Sequence, residues 1–121
     1  MDKVQALNKF WNSFAIPAYD ENSVPDKHAM PYITYNVVTD SIGNIVNLYG
    51  NLWYNSTSWR EVSLKAEEIA QKIGYGYKLA KLDKGYLYIT KSSPFSQRMQ
   101  ETDDTVKRIY INIQVEYLTA Y

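Results

Sequence analysis

The sequence predicts an α+β domain in which an antiparallel, four-stranded sheet packs against a main helix, with an N-terminal helix and long loops. Three patterns carry that expectation. Ile109, Ile111, Ile113, Val115 and Tyr117 alternate with Arg108, Tyr110, Asn112, Gln114 and Glu116, the period of a strand with one buried face. Trp59, Val62, Ala66, Ile69 and Ile73 recur at helical spacing behind Ser58-Trp-Arg-Glu61, which has the form of a capping box. Ile33, Tyr35 and Val37 alternate with Tyr32, Thr34 and Asn36 just after Pro31, a second strand pattern.

In chain order, Val4, Leu7, Trp11 and Phe14 make an apolar stripe for a helix over Lys3–Phe14, with Asp2 placed to cap its first turn. Pro17 stops it. Ala15–Met30, with Pro17, Pro25 and the polar run Asp20-Glu-Asn-Ser23, reads as an irregular connector. A strand near Tyr32–Val38 leads through the turn Asp40-Ser-Ile-Gly-Asn44 to a second near Val46–Tyr54, where Gly50 suits a bulge or close packing against a neighbour. The helix Trp59–Ile73 follows, with Glu61/Lys65 and Glu68/Lys72 spaced to pair on its solvent face and Gly74 placed to end it. Gly74-Tyr-Gly-Tyr77 and Leu82-Asp-Lys-Gly85 read as turns, and Tyr86–Thr90 as a short strand. Lys91–Thr105, with Pro94 and little periodic apolar surface, reads as an excursion or a segment ordered by a partner. Two hairpins in one sheet, covered by the Ser58 helix, bury these patterns economically.

At 121 residues and 45% apolar content, the chain suits one core and one domain. Thirteen basic residues balance thirteen acidic ones, so no net charge draws the chain to nucleic acid, an anionic membrane or an acidic substrate. The absence of cysteine removes disulfides, thiolate catalysis and zinc sites built on sulfur. No apolar run approaches the roughly 20 residues of a membrane helix, and Met1-Asp-Lys-Val-Gln-Ala lacks a signal-peptide core, so cytoplasmic synthesis is the simplest expectation. The twelve tyrosines are the compositional outlier; a ring with a polar edge suits both the margin of a core and an oligomeric interface.

No pattern specifies chemistry. His28 is the only histidine, and no nucleophile elbow accompanies it, so it reads as a loop or contact residue. Asp20/Glu21 and Asp103/Asp104 lack the ligand rhythm of a calcium loop, and Glu67/Glu68 point about 100° apart on a helix. Gly74-Tyr-Gly-Tyr-Lys78 follows a helix instead of opening one, unlike a phosphate loop. No catalytic residue, cofactor or metal site is therefore assigned. Lys72, Lys78, Lys81, Lys84, Lys91, Arg98, Lys107 and Arg108, beside Tyr75, Tyr77, Tyr86 and Tyr88, read either as a charged sheet rim or as a weak, sequence-independent nucleic-acid surface.

Phe14-Ala-Ile-Pro-Ala-Tyr-Asp-Glu-Asn-Ser-Val-Pro25, Met30-Pro-Tyr-Ile-Thr-Tyr35, Leu52-Trp-Tyr54, the Ser58-Trp-Arg-Glu61 helix start and the closing strand together resemble the tail terminator proteins of long-tailed bacteriophages, some catalogued as minor capsid proteins. The resemblance covers most of the chain through short motifs, none of them catalytic. It implies a non-enzymatic ring, commonly a hexamer, seated on the last layer of the tail tube, where it stops tube growth and offers the surface to which the DNA-filled head attaches. The implied fold is an antiparallel sheet flanked by helices. Implied partners are further copies of the chain, the major tail-tube protein and a head-completion or neck protein, with DNA passing nearby and no membrane; the implied location is the virion tail or neck, after assembly in the bacterial cytoplasm. Interface positions expected on this basis, all in or beside long loops, are Tyr19, Val24, Met30, Tyr32, Phe95 and Met99, with Arg98 and Asp103 setting register. A neck or head-completion adaptor on the portal side is the alternative, followed by a nonspecific nucleic-acid binder.

Overall fold

A computed structural model describes residues 1–26, 29–76 and 78–119. Along the chain lie α1 (Lys3–Asn12), β1 (Ala18–Asp20), β2 (Tyr32–Tyr35), β3 (Ile45–Asn55), α2 (Arg60–Ile73), β4 (Lys78–Leu82), β5 (Gly85–Met99) and β6 (Val106–Leu118). The six strands form one mixed sheet in the order β1-β2-β3-β6-β5-β4. All neighbours are antiparallel except β1 and β2, which run parallel with Ala18 opposite Ile33. The expected four-stranded antiparallel sheet is thus the centre of a larger one. Two short edge strands, β1 and β4, carry too few residues to display an alternation on their own.

The β6 alternation is realised in full: Ile109, Ile111, Ile113, Val115 and Tyr117 are all buried, and the intervening residues are half-exposed. Leu48, Leu52 and Tyr54 of β3, Ile33 and Tyr35 of β2 and Leu87 and Ile89 of β5 lie on the same face and join one core with residues of both helices. α2 crosses β3, β6 and β5, whereas α1 touches β1 and β4, the two opposite edges. The sheet therefore curls into a half-barrel around the helices. Lys65 and Lys72 of α2 donate to the carbonyls of Phe14 and Ser13 at 2.8 and 3.0 Å, tying the end of α1 to α2 on that concave side.

Gly50 shows why the central strand accepts α1 so closely. A Cβ there would stand 2.7 Å from the Trp11 ring. The expected close packing is real, and its partner is an indole that also stacks on Tyr35 at 6.0 Å. At Gly85, φ is +134° and a Cβ would meet the Leu118 carbonyl oxygen at 2.1 Å, so only glycine opens β5 against β6.

Several local expectations are corrected. α1 ends at Asn12, and its buried stripe is Ala6, Leu7, Phe10 and Trp11; Val4 is 49% exposed. Ser58-Trp-Arg-Glu61 does not close a capping box: the helix starts at Arg60, Trp59 occupies the cap without a side-chain bond, and Ser58 Oγ accepts from the Arg60 N–H in a short turn. Lys65 pairs with Glu68 at 3.1 Å, not with Glu61, while Lys72 pairs with Glu68 at 3.7 Å as expected. All four residues of β2 are buried, so both its faces are covered. The excursion expected over Lys91–Thr105 is largely strand: β5 runs on to Met99, breaking register only between Lys91 and Ser96, where Pro94 sits. The connector Ala15–Met30 contains β1.

Candidate protein interface on the open sheet face

Because both helices occupy the concave side, the convex side is covered by neither. The side chains it carries follow from register. Tyr32 is opposite Trp53, Trp53 is opposite Arg108, and Arg108 is opposite Met99, while Tyr19 of the parallel edge strand is opposite Thr34 and reaches Tyr32 diagonally on the same face. One register row thus crosses four strands, and Tyr19 extends it diagonally onto a fifth. Tyr19 and Tyr32 rings are 6.2 Å apart, Tyr32 stacks on Trp53 at 6.2 Å and 20°, and the Arg108 guanidinium lies 5.1 Å over the Trp53 ring. Beside the row, Tyr49 stacks on Tyr110 at 5.2 Å.

Polar contacts hold these rings in place. Trp53 Nε1–H donates to Thr34 Oγ1 at 2.9 Å, and an Arg108 terminal N–H donates to Asn51 Oδ1 at 3.1 Å. Arg108 Nε lies 2.7 Å from Glu101 Oε1, a close charge contact without the alignment of a hydrogen bond. Tyr49 donates its hydroxyl to the Glu21 carboxylate at 2.7 Å, and that bond, with burial and the Glu21 charge, pushes the phenol up to about 12. The result is a surface of rings and an arginine whose side chains have little freedom left to lose on contact, with Met99 beside Arg108 in register. Rigid aromatic and arginine anchors of this kind dominate protein interfaces.

Tyr19, Tyr32 and Met99, expected as interface residues in or beside long loops, come together here, on strands. The other five do not join them. Phe95 is half-buried against the core, and with Arg98 it lines a cleft of about 390 Å³ between α2 and β5. Arg98 lies on the concave side, 5.0 Å over the Trp59 ring, and so contributes nothing to the row. Asp103 builds its own turn, accepting from the Thr105 N–H and hydroxyl at 2.8 and 2.7 Å, bonds that lower its carboxyl below the usual range. Val24 and Met30 are half-buried in the connector, outside the row. His28 lies outside the described residues, as does Tyr77 of the expected glycine turn. Trp53, Arg108, Tyr49 and Tyr110 belong to the surface but were absent from the expected set. Arg108 and Tyr110 were signalled by the polar phase of the β6 alternation, whereas Tyr49 and Trp53 lie on β3, and only pairing reveals which rings meet.

Among the described residues no group of three or more histidine, cysteine, aspartate or glutamate side chains could hold a metal ion. No described helix is long and apolar enough to cross a membrane. Comparison of the chain with protein-family models, curated proteins and solved structures gave no match.

Proposed function

We propose that the chain is a non-enzymatic assembly protein, a ring that closes the tail tube of a long-tailed phage and presents the surface for head attachment. Two supports underlie this reading: the resemblance in the motifs from Phe14 to Tyr35 and beyond, and the convex row of Tyr19, Tyr32, Trp53, Arg108 and Met99. The row carries the argument. Its side chains are ordered and covered by neither helix, with Tyr32 buried among its neighbours and Tyr19, Trp53, Arg108 and Met99 half-buried, and a pre-ordered aromatic and arginine surface of this kind is what an assembly interface uses. A ring forms when one patch meets a different patch on the next copy and the rotation closes. Growth then stops because one side of the ring fits the tube while the other lacks the surface to accept another layer. Further copies, the tube protein and a neck or head-completion protein are the partners, in the virion tail or neck.

The same rings invite a nucleic-acid reading, but the chemistry of the face disfavours it. Arg108 is already engaged by Glu101 and Asn51, Glu21 and Glu116 share the face, and the rings stack on one another instead of standing free for bases. Mass measured across a concentration series, alone and with the tail-tube protein, tests the proposal. A closed oligomer, formed alone or on the tube, supports it. A persistent monomer that ignores the tube defeats it, and binding only to a portal complex moves the assignment to a neck adaptor.

A further inference from the structure

The two edges of the sheet are finished differently. At β1, Ala18 turns its N–H and carbonyl outwards, and Asn12 of α1 takes both: Oδ1 accepts from the Ala18 N–H at 2.9 Å and Nδ2 donates to the Ala18 carbonyl at 3.2 Å. The next outward carbonyl, that of Asp20, accepts from the Ser23 N–H at 2.9 Å. Side chain and turn thus take three of the four outward groups that a further strand would use, and this edge is largely closed.

At β4 the opposite holds. The two-residue turn after Leu82 pairs that residue with Gly85, and alternation along the antiparallel ladder then turns the backbone groups of Lys81 and Leu79 away from β5. Among the described residues no group bonds to them from that side. Alongside runs a groove of about 710 Å³ between β4 and α1, floored by Ala6, Phe10, Ala80 and Leu82 and rimmed by Lys9 and Lys81. Lys78 stands at its mouth with its ammonium 5.9 Å over the Phe10 ring. Its one flanking carboxylate, Asp83, is taken by the amino group of Met1, and the Asp83 N–H donates to the Met1 carbonyl, closing the far end.

We infer that the β4 edge and its groove bind an extended, acidic segment of a partner protein, which adds as a strand beside β4 with its apolar side chains on the groove floor and the carboxylates of its other face beside Lys81, while Lys9 and Lys78 add positive charge along the groove. Backbone pairing supplies the affinity and the pockets beneath alternate residues supply selectivity, as in other recognition by strand addition. A second copy of β4 is the wrong occupant, since two of its five residues are lysines, and lysine on an edge strand is a usual protection against self-association. The inference stands apart from the ring proposal, because the convex row lies on another face and the experiment does not require an oligomer.

The experiment titrates the chain with a blocked pentapeptide alternating glutamate and valine, and follows backbone amide shifts and hydrogen exchange. The expected result is saturable movement confined to Lys78–Asp83 and α1, with slowed exchange at Leu79 and Lys81. Leu79→Pro removes an outward donor that the fold does not use and abolishes the effect. A Lys9→Glu, Lys81→Glu double variant, which leaves the backbone alone, weakens the peptide by roughly tenfold or more and admits the matching lysine–valine peptide. Shifts elsewhere, no difference between the two peptides, or equal displacement by oligothymidylate overturn the inference, the last pointing to nucleic acid instead. Failure here leaves the mass measurement on the ring unaffected.

Discussion

Single residues show how closely this fold is fitted. Trp11 is fully buried against Gly50, Phe10 and Tyr35, and its Nε1–H meets no acceptor among the described residues, so packing alone holds the ring. Gly50→Ala forces the indole or β3 aside and is expected to destabilise by about 1–3 kcal/mol in urea unfolding, the usual range for overpacking. Tyr117 is wholly buried, donates to the Val38 carbonyl at 2.6 Å, and is pushed up to about 12 by burial and then by Asp40. Its folded form therefore holds a proton that the unfolded chain releases near pH 10, so its stabilisation is intact below about pH 10 and is lost as pH rises to about 12. Tyr32, Tyr35, Tyr49 and Tyr54 shift in the same direction. Tyr117→Phe should flatten the alkaline limb of stability against pH by its own share, while costing about 1 kcal/mol at neutral pH for the lost hydrogen bond. An unchanged alkaline limb would refute this account. Neither effect was legible in the chain, because a tyrosine at an apolar phase announces burial but not what its hydroxyl meets.

Among the elements, the start of α1 is capped as its sequence suggests, and that of α2 is not. Asp2 accepts from the Gln5 N–H at 2.8 Å and Gln5 returns a bond to the Asp2 N–H at 3.1 Å, a complete capping box. Asp2→Ala should cost about 1 kcal/mol, whereas Ser58→Ala should cost at most a few tenths, because α2 is held by Val62, Ala66, Ile69 and Ile73 against the sheet and not by its cap. Thermal unfolding of the pair decides between them. Asn12→Ala uncovers Ala18 of β1, and faster exchange at the Ala18 amide with a loss of about 1 kcal/mol is expected. The far half of β5 was missed for a physical reason. Residues Ser96–Met99 pair with β6 on one side only, beyond the reach of β4, so their side chains remain mostly exposed and polar and no burial alternation marks them. Pro94 falls in the stretch where register breaks and no ladder bond is required of it.

At the scale of the whole molecule, a half-barrel with both helices inside leaves one broad ordered surface outside. Trp53→Ala removes the ring between Tyr32 and Arg108, and with it the centre of the row. If that row forms the ring contact, the variant should weaken self-association by about 2 kcal/mol or more while far-ultraviolet circular dichroism stays native, and sedimentation should show the loss of the oligomer. Assembly unchanged in Trp53→Ala would remove the row from the interface. Raised salt should weaken the contact little, since its centre is aromatic and its arginine is already neutralised by Glu101.

What the chain determined by itself is what repeats locally: the buried phase of β6, the apolar face of α2, the cap of α1 and the punctuation at Gly74 and Gly85. Each is written within a few turns or residues, because helix and strand periods convert sequence spacing directly into a face. Only the tertiary structure decided which short segments became edge strands, which edge was covered by Asn12, and which rings aligned into the convex row. Those outcomes depend on register between strands distant in the chain, as Trp53 with Arg108, and no local pattern encodes a partner that lies 55 residues away.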